Sequence, residues 1–276
     1  MLLETDVLLQ LDALHYAVDY IPKRAIRYFT ALEHQDELMP LLIEEAKDVI
    51  AYPEEHQDES GCSRLLFHAL MIFGFLREER AIPLIREIGL MPHEAIDEML
   101  GDRLFESVSL ALAELFSQRV DELKVLIEDS SIDSSIRATC LQSMMFLYGR
   151  GGISRSEMVD YCLRLLKQPE EDLSCVYEVV AASAIALHPE ELIGDLRKFY
   201  QEGRIDEEQV KLEEIEESLL LPKDSSVEEF RKMLDVRLDD LIPYLEGLDG
   251  AWKEGAYERN ESCPCGSGQK FKKCCH

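Results

Sequence analysis

Four of the eight cysteines in this 276-residue chain crowd into CPCGSGQKFKKCC, between Cys263 and Cys275. Their spacing is C-x-C, eight residues, then C-C. Thiolates are soft ligands, and Zn2+ takes four of them tetrahedrally with Zn–S near 2.3 Å. Sulfurs sharing one ion must lie within about 4 Å of each other, and two close pairs joined by a turn meet that demand. Cys263, Cys265, Cys274 and Cys275 are therefore expected to hold one Zn2+, with His276 as the alternative fourth ligand. Pro264 stiffens the first pair, while Gly266, Ser267 and Gly268 permit a tight reversal and aim N–H groups at the sulfurs. Phe271 supplies aromatic cover. A unit this small has no core, so metal binding must provide its folding energy. Disulfides fit poorly: Cys274 and Cys275 are adjacent, and the start MLLETDVLLQLDAL lacks the positive n-region of an export signal.

Charge separates this segment from the rest. The chain carries 29 basic and 56 acidic residues, a net −27. From Arg259 onward there are four basic residues, Arg259, Lys270, Lys272 and Lys273, against Glu261 alone. The remainder is thus more acidic than the whole, and such a body repels phosphate backbones. DNA is excluded as a partner, and RNA is admissible through the basic tail alone. Lys270, Lys272 and Lys273 make a cationic knob suited to an acidic protein groove or a few phosphates; keeping a small module soluble is the alternative. No apolar run approaches the roughly 18 residues of a membrane span, so a cytoplasmic protein is expected.

RNESCPCGSGQKFKKCCH, residues 259–276, resembles the SEC-C motif, the zinc-binding tail of the bacterial preprotein translocase ATPase that also occurs on unrelated proteins. The motif's Cys-x-Cys, eight residues, Cys, then Cys or His falls on Cys263, Cys265, Cys274 and Cys275. In the translocase this tail binds an acidic export chaperone and contacts ribosomes, so the resemblance implies a chaperone-like or ribosomal partner here. The ATPase is missing: no G-x-x-x-x-G-K-[ST] loop occurs in the chain. Helical repeats with a terminal SEC-C motif are similar to a family of bacterial proteins, a resemblance that supplies no biochemical role.

The elements that must carry this tail read as all-α. Leu104, Val108, Leu112 and Leu115 step along one helical face, and Ile136, Cys140, Met144 and Leu147 along another. Ser154 with Glu157, and Ser225 with Glu228, have the spacing of capping boxes. MPLLIEEA and IPLIREIG match in pattern with prolines 43 residues apart, and ELKVLIED and DYCLRLLKQ follow at similar intervals. More apolar segments alternate with them: RLLFHALMIFGFL, ESVSLALAELF, IRATCLQSMMFLY and VYEVVAASAIAL. Two helices per period of about 40 resemble HEAT-type repeats, which implies a solenoid of stacked antiparallel helix pairs with one curved face free. The expected organisation is a helical-repeat domain over 1–205, further helices over 206–247, a glycine-bearing linker over 248–258 and the zinc module over 259–276. A helix is expected from about Ser226 to Leu241, with Pro243 kinking or ending it, and Trp252 as a linker anchor.

Other chemistry-bearing residues have weaker patterns. His93, Glu94, Asp97 and Glu98 read as a solvated acidic face, and His68 as a satisfied core histidine. Cys62, Cys140, Cys162 and Cys175 are expected as buried free thiols. Cys62 and Ser63 show no base at a recognisable spacing, and GRGG at Gly149–Gly152 lacks a phosphate-loop fingerprint. The expectation is a non-catalytic zinc-binding adaptor whose body and tail each contact a protein partner. A ribosome- or RNA-associated factor acting through the tail is the alternative.

Overall fold

In LLFHALMIFGFL every residue but His68 is apolar or glycine, and a helix without a polar face must be enclosed by others. The computed structural model describes residues 4–15, 20–58, 61–168, 174–248, 258–265 and 267–275. It is all-α apart from a two-residue antiparallel hairpin, β1 (Gln57–Asp58) with β2 (Gly61–Cys62), and the C-terminal module. The chain divides into two units, Met1–Leu115 with Leu238–His276, and Phe116–Arg237.

The first unit begins with α1 (Glu4–His15), α2 (Lys23–Thr30), α3 (Gln35–Ala51), α4 (Leu65–Leu76), α5 (Ile82–Gly89) and α6 (His93–Met99). A π-helical turn, Leu104–Val108, then runs into α7 (Ser109–Leu115). Helix α4 is buried from Leu65 to Gly74 and packs on α1, α2, α3 and α7. Gly74 lets α7 come close: a Cβ there would lie 2.6 Å from Ala111 Cα. His68 is fully buried and its Nδ1 lies 2.9 Å from Leu14 O, so burial drives its pKa down to about 4.

The second unit holds α8 (Val120–Glu128), α9 (Ser134–Gly149), α10 (Arg155–Leu166), α11 (Ser174–Leu187), α12 (Ile193–Gln201), α13 (Leu212–Ser218) and α14 (Lys223–Leu234). Helix α9 is its centre, touching α8, α10, α11 and α14. Gly149 is required by contact: a Cβ there would sit 2.4 Å from the Leu234 carbonyl carbon. The Ser154–Glu157 capping box is present at the start of α10. All four residues of each apolar stripe, Leu104 to Leu115 and Ile136 to Leu147, are buried. The repeated segments fall on α3, α5, α8 and α10, and the apolar ones on α4, α7, α9 and α11.

The chain returns to the first unit at Leu238, whose N–H donates to Glu114 Oε1 at 3.1 Å. Glu114 is buried and also accepts from Arg77 Nη2 at 2.8 Å, so one carboxylate ties α4, α7 and the returning strand of chain together. Helix α15 (Leu241–Glu246) then buries Leu241 and Leu245, and Glu246 pairs with Lys23 of α2. Two boundaries differ from expectation. Helix α14 starts at Lys223 behind Pro222, and Ser225 Oγ donates to Pro222 O, so Ser225 and Glu228 form no capping box. That helix ends at Leu234, and Pro243 lies in the first turn of α15, where its missing N–H costs no helical bond. Trp252 and linker residues 249–257 lie outside the described residues.

Candidate metal centre

Backbone pairing rather than a core shapes the C-terminal module. Cys263 N–H donates to Gln269 O at 2.7 Å, Phe271 N–H to Glu261 O at 2.9 Å and Lys272 N–H to Arg259 O at 3.1 Å. An antiparallel bridge joins Ser262 and Lys270, and Gly268 turns the chain between them at φ +69°. A 3-10 turn, Phe271–Lys273, then curls back, with the N–H groups of Cys274 and Cys275 both donating to Phe271 O. The hairpin presents Cys263 and Cys265, and the 3-10 turn swings the second pair beneath them.

The result is a cluster of four Sγ atoms within 4.8 Å of one another. Cys265 Sγ lies 3.3 Å from Cys263 Sγ and 3.4 Å from Cys274 Sγ, and Cys274 and Cys275 are 3.8 Å apart. Tetrahedral Zn–S bonds of about 2.3 Å set neighbouring sulfurs about 3.8 Å apart, so the observed spacing fits a bound ion. It is far too long for a disulfide, and the cysteines are free. Cys263, Cys265 and Cys275 are buried and Cys274 is half-buried. The structure thus brings together all four thiols singled out by spacing, while His276 and Gly266 lie outside the described residues. Among the described residues no other group of three or more His, Cys, Asp or Glu is arranged to hold a metal.

The thiols are electrically unequal. Burial pushes Cys263 up to about 11 and raises Cys275 as well. Burial also opposes ionisation of Cys265, but hydrogen bonds from the Ser267 hydroxyl, the Cys263 thiol, the Ser267 N–H and the Cys274 thiol prevail and bring it down to about 7. Ser267 Oγ is 3.2 Å from Cys274 Sγ. Ser267 thus lies against two sulfurs, donating to Cys265 and standing within hydrogen-bond distance of Cys274. On the outer face Lys270, Lys272 and Lys273 are exposed.

A second cluster is one the sequence pattern did not reveal. His15 Nδ1 lies 2.8 Å from Ser63 Oγ, and His15 Nε2 lies 2.9 Å from Glu45 Oε1. The base for Ser63 thus stands 48 residues away, on α1, with its carboxylate on α3. His56 stacks on the His15 ring at 5.3 Å and reaches Asp48 Oδ2 at 3.0 Å. Ser63 is 2% exposed and His15 5%, and Ser63 Oγ also accepts the N–H of Leu65, the first residue of α4, at 3.1 Å. Burial lowers the His15 pKa against the opposing pull of Glu45. The arrangement staples the end of α1, the middle of α3 and the start of α4. His93, Glu94, Asp97 and Glu98 are exposed on α6, Cys140 and Cys162 are fully buried, Cys175 is half-buried, and the Cys62 side chain lies outside the described residues.

An all-α chain carrying a four-thiol module is the class that this fold and site define. Residues 5–251 match the family described as Protein of unknown function (DUF1186), and the chain belongs to that family. Residues 259–276 match the SEC-C motif. Neither the curated proteins nor the solved structures contain a match to this chain. Among the described residues no helix is long and apolar enough to cross a membrane.

Proposed function

We propose that this protein is a cytoplasmic, non-catalytic adaptor whose C-terminal module binds Zn2+ through Cys263, Cys265, Cys274 and Cys275 and offers Lys270, Lys272 and Lys273 to an acidic protein. The observation that carries this reading is the four-sulfur cluster with three exposed lysines on its rim. Four thiolates select a soft, tetrahedral ion, and Zn2+ meets that demand without redox chemistry. Zinc with four thiolates carries about −2, so the lysines and Arg259 leave a modest cationic excess suited to a salt-sensitive contact. The body supplies a second contact, and two weak sites on one chain gain by effective concentration. Repeat-like stacking of helix pairs, supported by the packing of α8 on α9 and α9 on α11, would give that contact an extended face. The non-catalytic reading is supported by the burial of Ser63 and His15.

Affinity capture tests this. The intact protein should retain an acidic partner that both Cys263→Ser/Cys265→Ser and Lys270→Glu/Lys272→Glu/Lys273→Glu variants lose, with helical content unchanged. An identical set of captured proteins from all three would refute the adaptor reading. Sedimentation with ribosomes that fades as salt rises would assign the tail to RNA instead.

A further inference from the structure

Two imidazoles, two carboxylates and a hydroxyl meet where α1 ends. His15 is the last residue of α1, Glu45 and Asp48 lie about one turn apart on α3, His56 closes the 3-10 turn Pro53–His56, and Ser63 comes two residues before α4. Ser63 Oγ accepts the Leu65 N–H, so its own proton is the one that faces His15 Nδ1. His15 Nε2 then carries the hydrogen donated to Glu45 Oε1. The closed network therefore specifies a neutral His15. The backbone follows the same seam: Arg64 N–H donates to His15 O and Ser63 N–H to His56 O, each at 2.9 Å.

A proton upsets this arrangement in two ways. Once His15 Nδ1 carries a hydrogen it accepts nothing, and the hydroxyl of the buried Ser63 loses its acceptor. A charge on His15 also meets one on His56, whose ring stacks on it at 5.3 Å. Unit charges at that distance repel by about half a pH unit even at the dielectric constant of water. The surrounding groups pull in both directions. Burial, the largest influence, opposes a charge on His15; Glu45 on α3 and Asp12 on α1 favour one, and His56 opposes it. Asp48 on α3 lies 3.0 Å from His56 Nε2. On α4, Arg64 is the neighbouring cation, and His68, with Nδ1 2.9 Å from Leu14 O, is the neighbouring imidazole.

We propose that His15 and His56 form an acid-operated latch: stacked and neutral, they hold the end of α1 against α3 and the start of α4, and protonation releases that end. The direction follows from linkage. His15 takes up a proton less readily in the closed network than when released, so the latch is fully closed above about pH 6.5 and loosens as the pH falls. The latch is separate from the metal site and from the adaptor reading.

The test is amide hydrogen exchange by NMR on the full chain at pH 7 and pH 5, corrected for the intrinsic rate. Ser63, Arg64 and Leu65 are the reporters, because their N–H groups donate to His56 O, His15 O and Ser63 Oγ. In the wild type their exchange should quicken severalfold at pH 5. His68→Leu removes the other buried imidazole beside α1 and should keep that response. His56→Phe keeps a ring on the stack without its charge; it should shrink the response and raise the His15 titration midpoint by about half a pH unit. Equal protection of the three reporters at both pH values in the wild type overturns the latch without recourse to any variant. So does a response lost in His68→Leu, or a full response with an unmoved His15 midpoint in His56→Phe.

Discussion

Cysteines in this chain meet two fates. Cys140 and Cys162 are fully buried in the second unit, and burial pushes each thiol up to about 12. There they act as small hydrophobes. Cys263 and Cys265 are nearly as buried, 4% exposed each, yet their sulfurs stand 3.3 Å apart with two more close by. Burial therefore does not separate an isolated thiol from a clustered one that could hold a metal; the company it keeps does. The same contrast holds for stability. The helical body is held by apolar side chains such as those of α4 and α9, whereas the module has backbone pairing and a cluster of four sulfurs, and on the proposed reading an ion holds it.

The comparison breaks first at the cysteines. Cys263→Ser/Cys265→Ser should abolish stoichiometric zinc and with it most of the roughly 10 kcal/mol or more that such an ion contributes to a small module. Cys140→Ser/Cys162→Ser should keep one zinc per chain and lower the melting temperature instead. Chelator release and thermal unfolding on the same samples separate the two outcomes.

Acid sharpens it next. His68 has a folded pKa near 4, below its unfolded value, so the unfolded chain takes up the proton first. The body's stability is then fully present above about pH 6.5 and lost as the pH falls toward 4, on the order of 3 kcal/mol. Urea titrations at pH 7 and pH 5 should show the loss, and His68→Leu should flatten it. Zinc affinity should fall over the same acid range for a different reason, since protons compete for the thiolates, and it should do so in His68→Leu too.

Smaller effects probe the body alone. Gly74→Val forces a side chain against the Ala111 backbone and should cost about 2 kcal/mol by urea unfolding, with zinc content unchanged. Ser154→Ala removes the α10 cap and should cost about 1 kcal/mol.

What the sequence made legible follows the range of the interactions. The four clustered thiols lie within thirteen residues, so spacing marked them as a group, and the Ser154–Glu157 cap spans a single turn. The apolar stripes of α7 and α9 were legible because helical periodicity is local. Contacts across distant chain positions were not. Nothing near Ser63 points to His15. The start of α14 was misplaced for a subtler reason: Ser225 and Glu228 have capping-box spacing, but Pro222 begins the helix earlier and Ser225 turns its hydroxyl to the Pro222 carbonyl. Pro243 likewise reads as a helix breaker until the turn it opens is seen.

The most direct test of the metal assignment is X-ray absorption, with metal quantitation, on the reduced full-length protein. One zinc per chain, surrounded by four sulfurs at about 2.3 Å, is the expected result. Absence of stoichiometric metal, or a first shell containing nitrogen or oxygen in place of a sulfur, would contradict the assignment of Cys263, Cys265, Cys274 and Cys275 as its ligands.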